Sequence, residues 1–241
     1  MKVFLHGFMG DPLVWRAFRG EGDLAPTLLG HGSEHNEGVT CFEDEVARLV
    51  HQIEAAGLSL RSPGIHLIGY SLGARLALGI AARIRLERLT LVSGRDGLKD
   101  AEARRERLEA DEIWARRFEA CETPKDFEEV LALWDAQPVF NTPRPALLQR
   151  RLAHDPKQLA SCLRTLSLGR MPVYAERIQC DMIEIISGAK DPKFCALGEA
   201  LALTLGATYR VLPGAGHDLP TEAPEALERL LSQGFSQGDM R

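Results

Sequence analysis

Three residues that could act together chemically stand on three glycine-bearing turns, each just behind an apolar run. Ser71 lies in Gly69-Tyr70-Ser71-Leu72-Gly73, after IHLIG and ahead of LGARLALGIAA. A serine hydroxyl needs an imidazole to take its proton, and the imidazole needs a carboxylate to orient it. His217, in Gly214-Ala215-Gly216-His217-Asp218 after TYRVL, can supply the first need. Asp191, in Ser187-Gly188-Ala189-Lys190-Asp191, can supply the second, with Asp96 after TLVSG as the rival acid. The G-x-S-x-G spacing fits a tight strand–turn–helix corner in which larger flanking residues would strike neighbouring backbone. The serine then sits at a helix N-terminus, whose free N–H groups favour developing negative charge.

Arg75 follows Ser71 by four residues, one helical turn along on the same face. A guanidinium in that place must be paired or face an anion, because a buried unpaired charge is costly. It implies either a substrate bearing carboxylates, which the planar arginine fork meets in bidentate fashion, or a structural salt bridge.

Short apolar runs alternating with helical patterns position these residues, which predicts an α/β fold with a mostly parallel sheet and helices on both faces. The expected strands are Val3–Leu5, Ala25–Leu29, Ile65–Tyr70, Leu89–Ser93, Met182–Ser187 and Tyr209–Leu212. The expected helices include Phe42–Ala56, Leu72–Arg83, Phe194–Leu205 and Ala223–Leu231. From about Gly94 to Glu176 the pattern is helical throughout, punctuated by Pro124, Pro138, Pro143, Pro145, Pro156 and Pro172. Its first helix, Asp100–Ala120, interleaves both signs of charge, as a solvated helix does. Such an insertion before the acid-bearing strand predicts a helical cap (95–176) over a core formed by 1–94 and 177–241, at the sheet edge where open α/β sheets bind ligands.

Bulk properties narrow the function. A chain of 241 residues with 45% hydrophobic and 26% charged residues is an ordinary globular composition. A net charge of -5 argues against nucleic acid as a partner. The five cysteines are scattered without C-x-x-C spacing, so neither a zinc site nor a disulfide framework is expected, and no metal or other cofactor. No apolar run approaches membrane-spanning length, and the N-terminus reads as core structure rather than a leader, so a cytoplasmic location is expected. Monomer and homodimer are both compatible with the sequence.

A fourth segment, His6-Gly7-Phe8-Met9-Gly10, follows the first strand, and with it the sequence resembles the α/β-hydrolase superfamily. The chain order Ser, Asp, His is the order of that superfamily. The resemblance implies that the backbone N–H groups of Phe8 and Leu72 form an oxyanion hole. It also makes Gly30-His31-Gly32 a structural turn. Across VFLHGFMGD, GYSLGARLAL, SGRDGLKDAEARRERLEAD, IWARRF, WDAQPVF, LSLG, GAKDPKF and PGAGHD, the chain is similar to the synthase family that forms 2-succinyl-6-hydroxy-2,4-cyclohexadiene-1-carboxylate in menaquinone biosynthesis.

That similarity implies a pyruvate-eliminating lyase whose serine acts as a base on a small polyanionic carboxylate. It implies that Arg75, Arg107 and Arg151 hold carboxylates, that Tyr70, Trp134 and Phe140 line the pocket, and that Lys193 adds charge at its mouth. Asp135 departs from the family, where an aromatic residue is frequent. The competing readings are a carboxylic ester or thioester hydrolase working through a serine acyl-enzyme, and a non-catalytic binder on the same scaffold.

Overall fold

The computed structural model describes residues 1–32, 38–56, 64–140 and 147–232; Pro143 and Pro145 lie outside the described residues. Among the described residues five strands, β1 (Lys2–Leu5), β2 (His66–Tyr70), β3 (Leu86–Val92), β4 (Cys180–Gly188) and β5 (Thr208–Leu212), form one sheet in chain order. Every neighbouring pair is parallel. All five carboxyl ends therefore lie along one edge, and the residue that follows each strand is delivered to that edge.

The helices are α1 (Phe42–Ala55), α2 (Leu72–Ala81), α3 (Ala101–Glu119), α4 (Pro124–Asp135), α5 (Leu148–Leu152), α6 (Pro156–Thr165), α7 (Pro192–Leu205), α8 (Leu219–Glu222) and α9 (Pro224–Ser232). Alternation along the strands sorts the core into two layers. Val3, Leu5, Leu67 and Leu89 pack with Val46 and Leu49 of α1 and Leu76 and Ile80 of α2. Phe4, Ile68, Tyr70 and Val92 pack on the other face with Trp15, Leu219, Leu227 and Leu231. The four helices α3–α6 all fall between β3 and β4 and carry a separate apolar cluster around Phe118, Phe127, Leu131 and Leu159.

Two expectations about strands need correction. The segment Ala25–Leu29 is not a strand; the ladder to β1 is a single isolated parallel bridge, Val3 to Leu24, just before it. Pro26 has no N–H to give. The N–H groups of Leu28 and Leu29 donate instead to side chains, His6 Nε2 at 3.2 Å and Glu45 Oε1 at 3.0 Å. Strand β3 begins at Leu86, three residues before Leu89, because a charged pair belongs to it. Arg88 pairs with Glu184 of β4 at 3.0 Å, and Arg210 of β5 reaches the same carboxylate at 2.8 Å. Charge inside a strand hides it from a reading based on apolar runs.

Among the described residues no helix is long and apolar enough to cross a membrane.

The turns after β1 and around residue 30 are tied by an edge-to-face cluster of histidines, His6 and His31 buried and His154 half-buried. His31 Nε2 accepts the N–H of Met9 at 2.8 Å, and its ring lies 5.0 Å from His6 and 5.5 Å from His154. Burial lowers His6 to about 4, depresses His31 well below its usual value, and with Arg88 nearby lowers His66 to about 3. A histidine depressed on folding lends stability that is complete above its unfolded value near 6.5 and is lost as pH falls toward the folded value. His6 alone should cost about 2 kcal/mol at pH 5. Thermal melts should therefore show a midpoint that drops between pH 7 and pH 5; a constant midpoint over that interval would contradict neutral, buried rings.

Candidate active site

Ser71 occupies the corner between β2 and α2 at φ 53° and ψ −106°, a backbone region that costs a non-glycine residue of order 1–3 kcal/mol. The corner is held by hydrogen bonds to the Ser71 backbone, from its N–H to the Val92 carbonyl at 2.9 Å and from Arg75 N–H to its carbonyl at 3.2 Å. A Cβ on Gly69 would collide with the Gly73 carbonyl, and one on Gly73 with the Leu5 carbonyl. The two flanking glycines thus let β2, α2 and the end of β1 approach closely enough to form the corner.

The loop after β5 brings His217 over the serine. Its Nε2 lies 3.1 Å from Ser71 Oγ and its Nδ1 lies 2.8 Å from Asp191 Oδ2. With the carboxylate accepting from Nδ1–H, Nε2 is left to accept from the serine hydroxyl. Asp191 is buried, and its other oxygen accepts the Phe194 N–H at 3.1 Å. The helix after β4 starts at Pro192, two residues earlier than the apolar pattern indicates, and this makes Asp191 its N-cap. The rival acid, Asp96, is occupied elsewhere: its oxygens accept the N–H groups of Gly97, Tyr174 and Ala175.

Two residues that sequence reasoning missed fix the His217 loop. Ser93, at the end of β3 with φ 48°, donates its hydroxyl to the His217 carbonyl at 2.8 Å. Glu222 of α8 accepts the N–H of Gly216 at 2.7 Å and that of Asp218 at 3.1 Å, clasping the backbone on both sides of the histidine. Ser93 could have been suspected as a polar residue closing an apolar strand; nothing in the spacing marks Glu222. Around the ring stand Phe194, Tyr70 and Phe140, with centroids 4.4, 5.7 and 5.9 Å away.

The array opens into a cavity of about 170 Å³. Phe8, Ser71, Leu72, Arg75, Arg107, Trp134, Phe140, Lys193 and His217, all expected at the site, line it. Leu72 opens α2, where N–H groups have no intrahelical acceptor. Trp134 both faces the cavity and packs 5.0 Å from Phe8 and 4.9 Å from Trp114. Arg75 donates to the Leu166 carbonyl at 2.9 Å; burial, reinforced by the neighbouring Arg107, pulls its pKa down to about 10. Arg107 is partly exposed and pairs through Nε with Asp111 at 2.9 Å. Arg95, not expected at the site, lines it too.

Two residues expected to bind substrate are not in this cavity. Arg151 lines a smaller neighbouring one and is buried in a two-pronged pair, with Nη1 2.8 Å from each oxygen of Asp135. The acidic departure at Asp135 thus neutralises the arginine that was expected to meet substrate. Tyr70 shares its strand face with Ile68, so alternation sends its ring into the layer of Phe4 and Trp15, and it also borders the smaller cavity.

The sheet and this array define the class: the chain belongs to the α/β hydrolase family, whose sequence profile matches residues 3–230. Within the family it resembles the 2-succinyl-6-hydroxy-2,4-cyclohexadiene-1-carboxylate synthase of Klebsiella pneumoniae subsp. pneumoniae, with 34% identity over 96% of this chain and 92% of the relative. Its fold is similar to that of MenH from S. aureus, at TM-score 0.84 and 24% identity, covering 95% of this chain and 91% of the other. The fold is also similar to that of a malate-bound thermophilic esterase from Thermogutta terrifontis, at TM-score 0.70 and 24% identity over 95% and 87% of the chains.

The geometry separates the two candidate acids by experiment. Asp191→Asn presents an amide where His217 needs an acceptor, so kcat should fall about 10³–10⁴-fold with KM nearly unchanged. Asp96→Asn should instead lower the unfolding midpoint, because it weakens a clamp on three backbone N–H groups. The reverse pattern in kinetics and melts would transfer the acid role to Asp96.

Proposed function

We propose that this protein is a lyase of menaquinone biosynthesis that eliminates pyruvate from 2-succinyl-5-enolpyruvyl-6-hydroxy-3-cyclohexene-1-carboxylate, with Ser71 as the base. The observation that carries this reading is a serine–histidine–aspartate array opening into a chamber of guanidinium groups; the similarity to synthases of that name supports it. A chamber serving neutral esters has no use for buried cations, whose desolvation is costly without an anion.

In the proposed reaction His217 takes the Ser71 hydroxyl proton at Nε2 while Asp191 steadies Nδ1–H. The serine oxygen removes the proton α to the succinyl carbonyl, and the N–H groups of Phe8 and Leu72 meet the resulting oxyanion. The electron pair moves through the ring and breaks the C–O bond to the enolpyruvyl group. Pyruvate departs as its enol after taking a proton back from His217, and the ring is left a cyclohexadiene. Arg75 and Arg107 hold carboxylates, Trp134 and Phe140 form an apolar wall, and Lys193 adds charge at the mouth. In this reading residues 95–176 cap the site carried by 1–94 and 177–241.

The test is pyruvate release from the enolpyruvyl substrate. Ser71→Ala should abolish it with the fold intact, and no acyl adduct should appear on the wild-type protein in intact-mass spectra during turnover. An adduct together with a burst equal to the enzyme concentration would establish the carboxylic ester or thioester hydrolase instead. Arg75→Ala and Arg107→Ala should each lower kcat/KM roughly 10–150-fold, with partial recovery in the lysine variants. Full activity in both alanine variants would remove the carboxylate clamp from this account.

A further inference from the structure

Arg95 stands three residues past the end of β3, in Ser93-Gly94-Arg95-Asp96, and lines the cavity that holds Ser71 and His217. It is partly buried, and its Nε makes one long bond, 3.3 Å, to the Asp96 carbonyl. Its terminal nitrogens have no hydrogen-bond partner among the described residues. The adjacent Asp96 carboxylate is spent on the backbone N–H groups of Gly97, Tyr174 and Ala175. Asp111 is the carboxylate of the cavity lining, and it already serves Arg107 Nε at 2.9 Å and the Ser167 hydroxyl at 2.7 Å. Burial, and then the charge of Arg107, push the Arg95 pKa down.

Arg75, Arg95 and Arg107 line one cavity with the single Asp111 carboxylate, and their desolvation there is costly unless an anion completes the set. Arg151 cannot complete it from the protein's side, because Asp135 neutralises it in a different cavity. We propose that Arg95 is a substrate-binding and specificity-determining residue, the third guanidinium of a cradle for a tricarboxylate, taking the place Arg151 would have filled. The assignment rests on the lyase reading above, whose substrate carries three carboxylates: on the ring, on the succinyl arm and on the enolpyruvyl group. Sitting after β3, Arg95 lies between the strand that presents Ser71 and the strand that presents Asp191, and Asp111, the acidic residue of the lining, is already paired with Arg107.

The experiment is steady-state kinetics of pyruvate release by wild type, Arg95→Gln, Arg95→Lys and Arg75→Ala, with thermal melts of each. Arg95→Gln removes the charge while keeping a donor for the Asp96 carbonyl, so it tests charge with the turn preserved. It should raise KM for the tricarboxylate roughly 10–100-fold with a smaller change in kcat and an unchanged melting midpoint. Arg95→Lys should recover part of the loss. If Arg95→Gln keeps the wild-type KM while Arg75→Ala loses it, Arg95 is not a substrate ligand, and the lyase reading stands without it. If Arg95→Gln loses activity through kcat and melting midpoint together at constant KM, its role is structural and the assignment is overturned. If the wild-type protein releases no pyruvate, the lyase reading itself fails, and this assignment with it.

Discussion

Backbone packing at the carboxyl edge of the sheet is the constraint on which the rest of this molecule depends. The ladder of hydrogen bonds does not stop at the strand ends; it continues into the loops that carry the chemistry. Ser71 N–H bonds to Val92, Ser93 N–H to Ile186, and Ala189 N–H to Leu212. Lys190 N–H reaches Ala215 across the gap between the Asp191 and His217 turns. A Cβ on Gly188 would strike the Gly216 carbonyl, so the same two turns also touch through bare backbone. Relative positions of serine, histidine and aspartate are therefore set by strand register, which the core enforces, rather than by loop conformations free to drift. The positive φ at Ser71 is tolerated because these contacts over-determine it.

Electrostatics adds a second level to the same edge. Where this chain buries a cation away from the cavity, it supplies a carboxylate: Glu184 for Arg88, and Asp135 for Arg151. Inside the cavity Asp111 pairs with Arg107, while Arg75 and Arg95 donate only to backbone carbonyls. The contrast within one molecule is more informative than either observation alone. One carboxylate thus stands among the three guanidiniums that line the cavity beside Ser71 and His217.

Much of this could be read from the residues. The strand–turn–helix around Ser71, the turns bearing Asp191 and His217, and the helical run between β3 and β4 all follow from local pattern, because apolar periodicity and glycine placement are local. What escaped is what depends on partners far apart in the chain. Ala25–Leu29 looks like a strand until His6 and Glu45 claim its N–H groups. The beginning of β3 is hidden by Arg88, whose charge makes sense only beside Glu184, 96 residues away. The pairing of Arg151 with Asp135 and the use of Asp96 by the backbone near Tyr174, beside Arg95, are hidden for the same reason. The resemblance implies a pocket place for Tyr70, whereas alternation along β2 puts its ring in the layer of Phe4 and Trp15.

A serine–histidine–aspartate array has no fixed chemistry, and the surroundings decide between attack and proton removal. For acyl transfer a carbonyl carbon must sit in front of Ser71 Oγ, and a covalent adduct then forms. For elimination an acidic C–H must sit there instead, with its carbonyl oxygen still turned toward the N–H groups at the strand ends. The difference is a small displacement of the substrate, and only binding groups remote from the reacting atoms can impose it. Carboxylates gripped by bidentate guanidiniums are suited to this, since the fork fixes direction as well as distance. A positive chamber also favours the serine alkoxide and the enolate, both anionic, over their neutral precursors. Under the proposed lyase reading the arginines would do more than hold the substrate: they would select which atom meets the serine, and so which reaction the array performs.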